Sequence, residues 1–194
     1  SLPVFLTAGT ASSRKLQGLR SGVMIRPGDR FDIGDCQIAA EPVPHDAREP
    51  VQFCLQSGDC KLGILTDLGS VTPHVVRAFS NCDALVLEFN HDPVMLAEGP
   101  YPKSVKTRVG GAFGHLTNQQ ARQFLDHADT AKLKMLFVAH ISEQNNAPEL
   151  ADAALKGWPG LSSCAVIHAT QEAGFEWHAL DGLNQKLEIR AGLG

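Results

Sequence analysis

In the first third of the chain, apolar and polar positions alternate in short runs broken by glycine, proline and aspartate. That is the pattern of half-buried strands. It predicts strands over residues 3–7, 21–25, 30–33 and 36–43, with a short helical stretch over 14–19. A hairpin follows, 51–56 into 61–66, turned by "SGDC", where Gly58 and Asp59 supply the tight-turn chemistry. Beyond residue 70 the spacing changes to helix-length patterns between continuous apolar runs. Helices are expected over 72–79, with Thr72 as N-cap and Pro73 at the first helical position, and over 92–98, 104–110 and 147–155. "HLTNQQARQFLDHAD" is the clearest helix, because Thr117 and Gln120 have capping-box spacing. Buried strands are expected over 83–89, 134–139 and 164–167, and a last strand near 186–190. Strands first, then alternating helix and strand, predict an α/β (α+β) fold of sheet layers covered by helices. No repeat, low-complexity tract or linker interrupts residues 1–194, so a single domain is expected.

Three polar residues interrupt this pattern in the same way. His45 follows "AAEPVP", Asp67 follows "GILT", and His140 follows "MLFVA". Each stands at the C-terminal end of an apolar strand, where α/β folds place their ligand chemistry. Two imidazoles and a carboxylate suit a divalent cation. Taken singly, each also reads as a hydrogen-bonded histidine or an Asx-turn aspartate, and spacing alone does not choose.

Composition narrows the class. The chain is 43% hydrophobic and 20% charged with a net charge of −4. That balance speaks against a broad nucleic-acid-binding surface while leaving room for a local phosphate-binding cleft. No apolar run reaches the ~18 residues of a membrane span. The five cysteines contain no CxxC pair and lie mostly in apolar stretches, so buried free thiols and a reducing cytoplasm are expected.

The segments "PVPHDAREPVQF", "GILTDLGSV", "DALVLEFNHDPVMLAEGPYPKSVKTRV", "GHLTNQQA" and "FVAHISEQNNAPELA" occur in this order. Together they resemble the metallo-β-lactamase-fold hydrolases, in particular the bacterial YycJ/WalJ-type branch of metal-dependent exonucleases. The resemblance runs through nearly the whole chain, to "ATQEAGFEWHAL", and implies an αββα sandwich. It makes His45 a ligand of one metal, Asp67 the carboxylate shared between two, and His140 a ligand of the second. Two divalent ions, zinc or manganese, are the implied cofactors.

The HxHxDH motif of that family is absent: no two of the eight histidines lie two residues apart. The resemblance therefore implies a chain incomplete at its N-terminus, whose missing segment carries the other ligands, and a fragment inactive by itself. For the complete protein it implies hydrolysis of a nucleic-acid phosphodiester, with DNA as the expected substrate, by a metal-bridging hydroxide. Asp67 would hold that geometry and His115, in "GHLTN", would serve the leaving group as the second catalytic residue. Asn90, His91, Asn145 and Asn146 are the substrate-binding candidates, each with an equally good structural reading. Lys103, Lys106 and Arg108 could guide a nucleic-acid backbone. Two other classes stay open: the same fold hydrolysing a small ester, thioester or lactone, and a metal-free binding domain.

Overall fold

The computed structural model describes residues 2–16, 18–172 and 174–180. Within them, β1 (Val4–Thr7) and β2 (Gly22–Ile25) pair in parallel as a small separate sheet. The main sheet has seven strands in chain order: β3 (Arg30–Ile33), β4 (Cys36–Pro42), β5 (Val51–Ser57), β6 (Cys60–Leu65), β7 (Ala84–Glu88), β8 (Met135–Ala139) and β9 (Ala165–His168). Helices α1 (Ala8–Ala11), α2 (Pro73–Phe79), α3 (Pro93–Glu98), α4 (Lys103–Val109), α5 (Asn118–His127) and α6 (Pro148–Leu155) connect and cover them.

Strand direction decides where chemistry can gather. β3 through β6 are joined by antiparallel pairings and β6 through β9 by parallel ones. It follows that β4 runs the same way as β6 to β9. The C-terminal ends of all five lie along one edge of the sheet, the edge that carries the sites of α/β folds.

The core lies mainly on one face. Leu85, Leu87, Leu136 and Val138 of the central strands pack with Val75 and Phe79 of α2, Phe124 and Leu125 of α5, and Leu155 of α6. A smaller cluster of Ala84, Met135 and Phe137 occupies the alternate positions of β7 and β8, as the two-residue period of a strand demands. The predicted caps are present: Thr72 accepts from the Val75 amide, and Thr117 and Gln120 form a reciprocal capping box.

The mixed α/β architecture agrees with the sequence reading, with local corrections. The helical stretch expected over 14–19 is a single 3-10 turn, Arg14–Leu16, and Gly18 just beyond it takes a left-handed φ of 96°. The strand expected over 3–7 gives way at once to α1, which was not anticipated; its local signal is Thr7, whose hydroxyl accepts from the Thr10 amide as an N-cap. The strand expected near 186–190 lies outside the described residues. All five cysteines are free thiols. No described helix is long and apolar enough to cross a membrane.

Candidate metal centre

The shared edge collects the polar residues that end the strands. His45 lies just past β4 and Asp67 just past β6, while Glu88 is the last residue of β7 and His140 immediately follows β8. His115 joins them from the loop that leads into α5. The sequence-predicted trio of His45, Asp67 and His140 is thus brought to one place, together with His115.

Glu88 organises this group. It is fully buried. Its Oε1 accepts the Nδ1–H of His115 at 2.8 Å and that of His140 at 2.6 Å. Its Oε2 accepts the backbone amides of Leu68 at 3.2 Å and Leu116 at 3.0 Å. Burial alone would raise the carboxyl pKa, but the two histidine hydrogen bonds, the charge of His115 and the Leu116 amide outweigh it and bring it down to about 2. With both oxygens occupied, Glu88 acts as an anchor for its neighbours rather than as a donor to a cation.

The anchoring fixes the outward nitrogens. Nδ1 of His115 and of His140 carries the proton that Glu88 accepts, and Nδ1 of His45 donates to the Gly114 carbonyl at 3.0 Å. In each neutral ring the lone pair then belongs to Nε2. Asp67 Oδ1 stands 3.7 Å from His45 Nε2 and 3.9 Å from His140 Nε2. It is also 3.9 Å from the His115 ring nitrogen Nδ1. The His115 ring lies between the other two, with centroid separations of 5.2 Å to His45 and 5.1 Å to His140. Donor atoms of Asp67, Glu88, His115 and His140 fall within 4.8 Å of one another. The Glu88 hydrogen bond raises the His140 pKa above the ordinary imidazole value, and burial opposes it.

The backbone holds this arrangement under local strain. Asp67 and His140 adopt left-handed φ angles of 51° and 55°, a region that non-glycine residues rarely occupy. The loops are tied to one another. The Gly69 amide donates to the Pro44 carbonyl at 2.8 Å, and the Ser70 hydroxyl to the Ala112 carbonyl at 3.0 Å. Gly69 is packed so closely that a Cβ there would meet the Ala112 oxygen at 2.5 Å. Only glycine permits this approach.

The other predicted residues separate into two kinds. Asn90 donates to the His140 carbonyl at 3.0 Å and borders an open cleft; Asn145 borders the same cleft. His91 is instead 1% exposed, with burial lowering its pKa and no partner for Nδ1. Asn146 spends its amide on the Phe89 carbonyl at 2.8 Å and on reciprocal bonds with Asn118. For these two the side chains are engaged in loop and core structure, the alternative reading that the sequence left open. Of the basic residues, Arg108 pairs with Asp46 beside His45, and Lys106 donates to the Ala97 carbonyl.

Sequence reasoning missed Glu88. The signal was present: "ALVLE" is a buried run ending in an acid, and such an acid requires partners.

No protein-family model matches the chain. It is 36% identical over 149 residues to the exodeoxyribonuclease YycJ of Bacillus anthracis, covering 74% of this chain and 56% of that protein. It is 31% identical over 124 residues to the exodeoxyribonuclease WalJ of Streptococcus pneumoniae, covering 64% of this chain and 46% of that protein. The chain thus spans about half the length of the curated relatives it matches. Among solved structures it is similar to the metallo-β-lactamase-fold protein YhfI of Bacillus subtilis, with a TM-score of 0.64 at 18% identity over 91% of this chain and 65% of that one.

Proposed function

For a chain that belongs to the metallo-β-lactamase-fold proteins of the YycJ/WalJ type, we propose that the edge cluster is a divalent-metal centre serving hydrolysis of a nucleic-acid phosphodiester, with DNA as the substrate. The observation that carries this reading is the pinning of His45 and His140 through Nδ1, which turns their Nε2 lone pairs toward one carboxylate, Asp67, with His115 held beside them by Glu88. A histidine that donates its far nitrogen to a carboxylate or carbonyl is the arrangement that orients metal ligands.

The donor set fits zinc or manganese, because imidazole nitrogen and carboxylate oxygen serve both. His45 and His140 would each hold one ion, and Asp67 would stand between two. Divalent cations bound there would supply Lewis acidity and bring the pKa of water toward neutrality. The chain's own residues supply the rest. Asp67 fixes the spacing of the centre from a rigid turn. His115, between the two ligand histidines, is placed to pass a hydrogen bond or proton to a departing oxygen. Glu88 keeps His115 and His140 in one tautomer and one orientation. The activity itself belongs to the whole protein.

The test uses the whole protein loaded with zinc or manganese. It compares 5′-phosphorylated single-stranded DNA with thioester and lactone substrates. Release of nucleotides without turnover of the others is the expected result, whereas hydrolysis of an ester or lactone alone would replace this reading by the small-molecule alternative. Metal content by mass spectrometry should fall in Asp67→Ala; wild-type content and rate in that variant would refute its place between the ions.

A further inference from the structure

Beside His115 and His140 the surface opens into a cleft of about 490 Å³, within the ~300–1,000 Å³ of small-molecule sites. Its chemistry is unlike that of a phosphate channel. Asn90, Gln144, Asn145 and Gln171 line it together with Ser142 and Tyr101. Among the described residues bordering it there is no lysine or arginine, and Glu143 adds a negative charge. An anion lying in this cleft would meet Glu143 and find no cation beyond the two histidines of the centre. A neutral planar group with donors and acceptors along its edge would meet amides that can do both.

We propose that this cleft is a nucleobase pocket: it takes the base of the nucleotide next to the scissile phosphate, with the Tyr101 ring against its face and the amides at its edge. The inference rests on the phosphodiesterase reading for its placement of the phosphate at the histidines. It adds a substrate requirement of its own, that the enzyme recognises a terminal nucleoside and not a backbone alone. Stacking on an aromatic side chain favours binding and tolerates any base. Amide contacts at the edge add discrimination among bases.

The test measures binding and cleavage by the whole, metal-loaded protein. Two internally fluorescein-labelled single-stranded DNAs are compared by anisotropy, one with all its bases and one abasic at the nucleotides nearest both ends. The base-bearing strand should bind about tenfold more tightly. Tyr101→Ala should erase that difference and Tyr101→Phe should keep it, while Gln144→Ala, at an exposed position, should change the preference among terminal bases. Equal binding of the two strands by the wild type would overturn the pocket. Equal weakening of both strands by Tyr101→Ala would also overturn it, because Tyr101 would then support only the shape of the site. If base-dependent binding is found but neither strand is cleaved, the pocket stands and the hydrolytic reading falls. If both strands are cleaved with no base dependence in either binding or rate, the hydrolytic reading stands and the pocket falls.

Discussion

Strand β7 is framed by two buried carboxylates, Asp83 just ahead of it and Glu88 as its last residue. Asp83 accepts the Lys61 amide at 3.0 Å and pairs with the Lys134 ammonium at 3.0 Å, so it ties the starts of β6, β7 and β8 together. Glu88 holds two backbone amides and two imidazoles. The first is neutralised by partners that face nothing else. The second is neutralised by two imidazoles that both stand beside Asp67, His140 with its far nitrogen turned toward that carboxylate. A buried acid therefore points to a site only when its partners have a second, outward-facing function, and Asp83 is the control that shows the difference within one strand.

The comparison breaks most sharply at Glu88. Glu88→Ala leaves two amides and two ring N–H groups without an acceptor, and removal of one member of a buried charged network costs about 3–5 kcal/mol. Urea denaturation should show a loss of that order, and metal uptake should disappear with it. Glu88→Gln retains the volume and one acceptor oxygen, so it should lose less stability while still failing to hold both histidines in the same tautomer. A Glu88→Ala protein with wild-type stability would show that the network does not hold the loops.

At the opposite end, Asp83→Asn should lower stability at neutral pH by about 2 kcal/mol and leave metal binding unchanged. Burial raises the Asp83 pKa, but the Lys61 amide and the Lys134 ammonium prevail and bring it below the usual value. A folded-state pKa held below its unfolded value stabilises the fold above the unfolded pKa, and this contribution is lost as pH falls through the folded one. Wild-type stability should therefore fall on acidification below about pH 4, and the variant's curve should be shallower there. Denaturation midpoints across that range measure both slopes; parallel curves would show that Asp83 contributes no proton linkage.

Two glycines on and after β6 sharpen the same contrast. A Cβ on Gly63 would meet Leu85 at 2.8 Å and Phe79 at 3.0 Å, inside the core. A Cβ on Gly69 would meet the backbone of Ala112 and Phe113 at 2.5 Å, in the loop that supplies the Gly114 carbonyl to His45. Each substitution to alanine should cost about 1–3 kcal/mol through overpacking. Only Gly69→Ala should also weaken metal affinity beyond what its stability loss explains. Titration with zinc at a temperature where both variants are folded separates them; equal affinities would detach this loop from the site.

The fold was legible where a local rule and the tertiary context agreed. The Thr72 cap, the Thr117–Gln120 capping box, the "SGDC" hairpin and the apolar runs of β7 and β8 each state their structure in a few residues, and each is found. His45, Asp67 and His140 were legible as polar residues ending apolar strands. Glu88 was not recognised because it belongs to an apolar strand by sequence, and its meaning depends on His115 and His140, 27 and 52 residues away along the chain. The burial of His91 and Asn146 was hidden for the opposite reason. They sit beside the site in sequence, but the chain turns their side chains inward, and no local pattern records that turn.

The smallest expected effect tests whether Asp67 is held for stability or for chemistry. Its left-handed backbone is unfavourable for an aspartate, by about 1 kcal/mol or less, and glycine adopts the same φ freely. If the aspartate served the fold, Asp67→Gly would destabilise the protein through the loss of its contacts with His45 and His140. Those contacts lie at 3.7 and 3.9 Å, on a side chain that is 43% exposed, and pairs of that kind contribute little. The metal-free variant should therefore unfold at the same denaturant concentration as the wild type or slightly above it. Metal should then stabilise the wild type and leave the variant unmoved. A metal-free variant that is clearly less stable would make Asp67 part of the scaffold, like Asp83, and would remove the reason for reading its strained turn as the mark of a site.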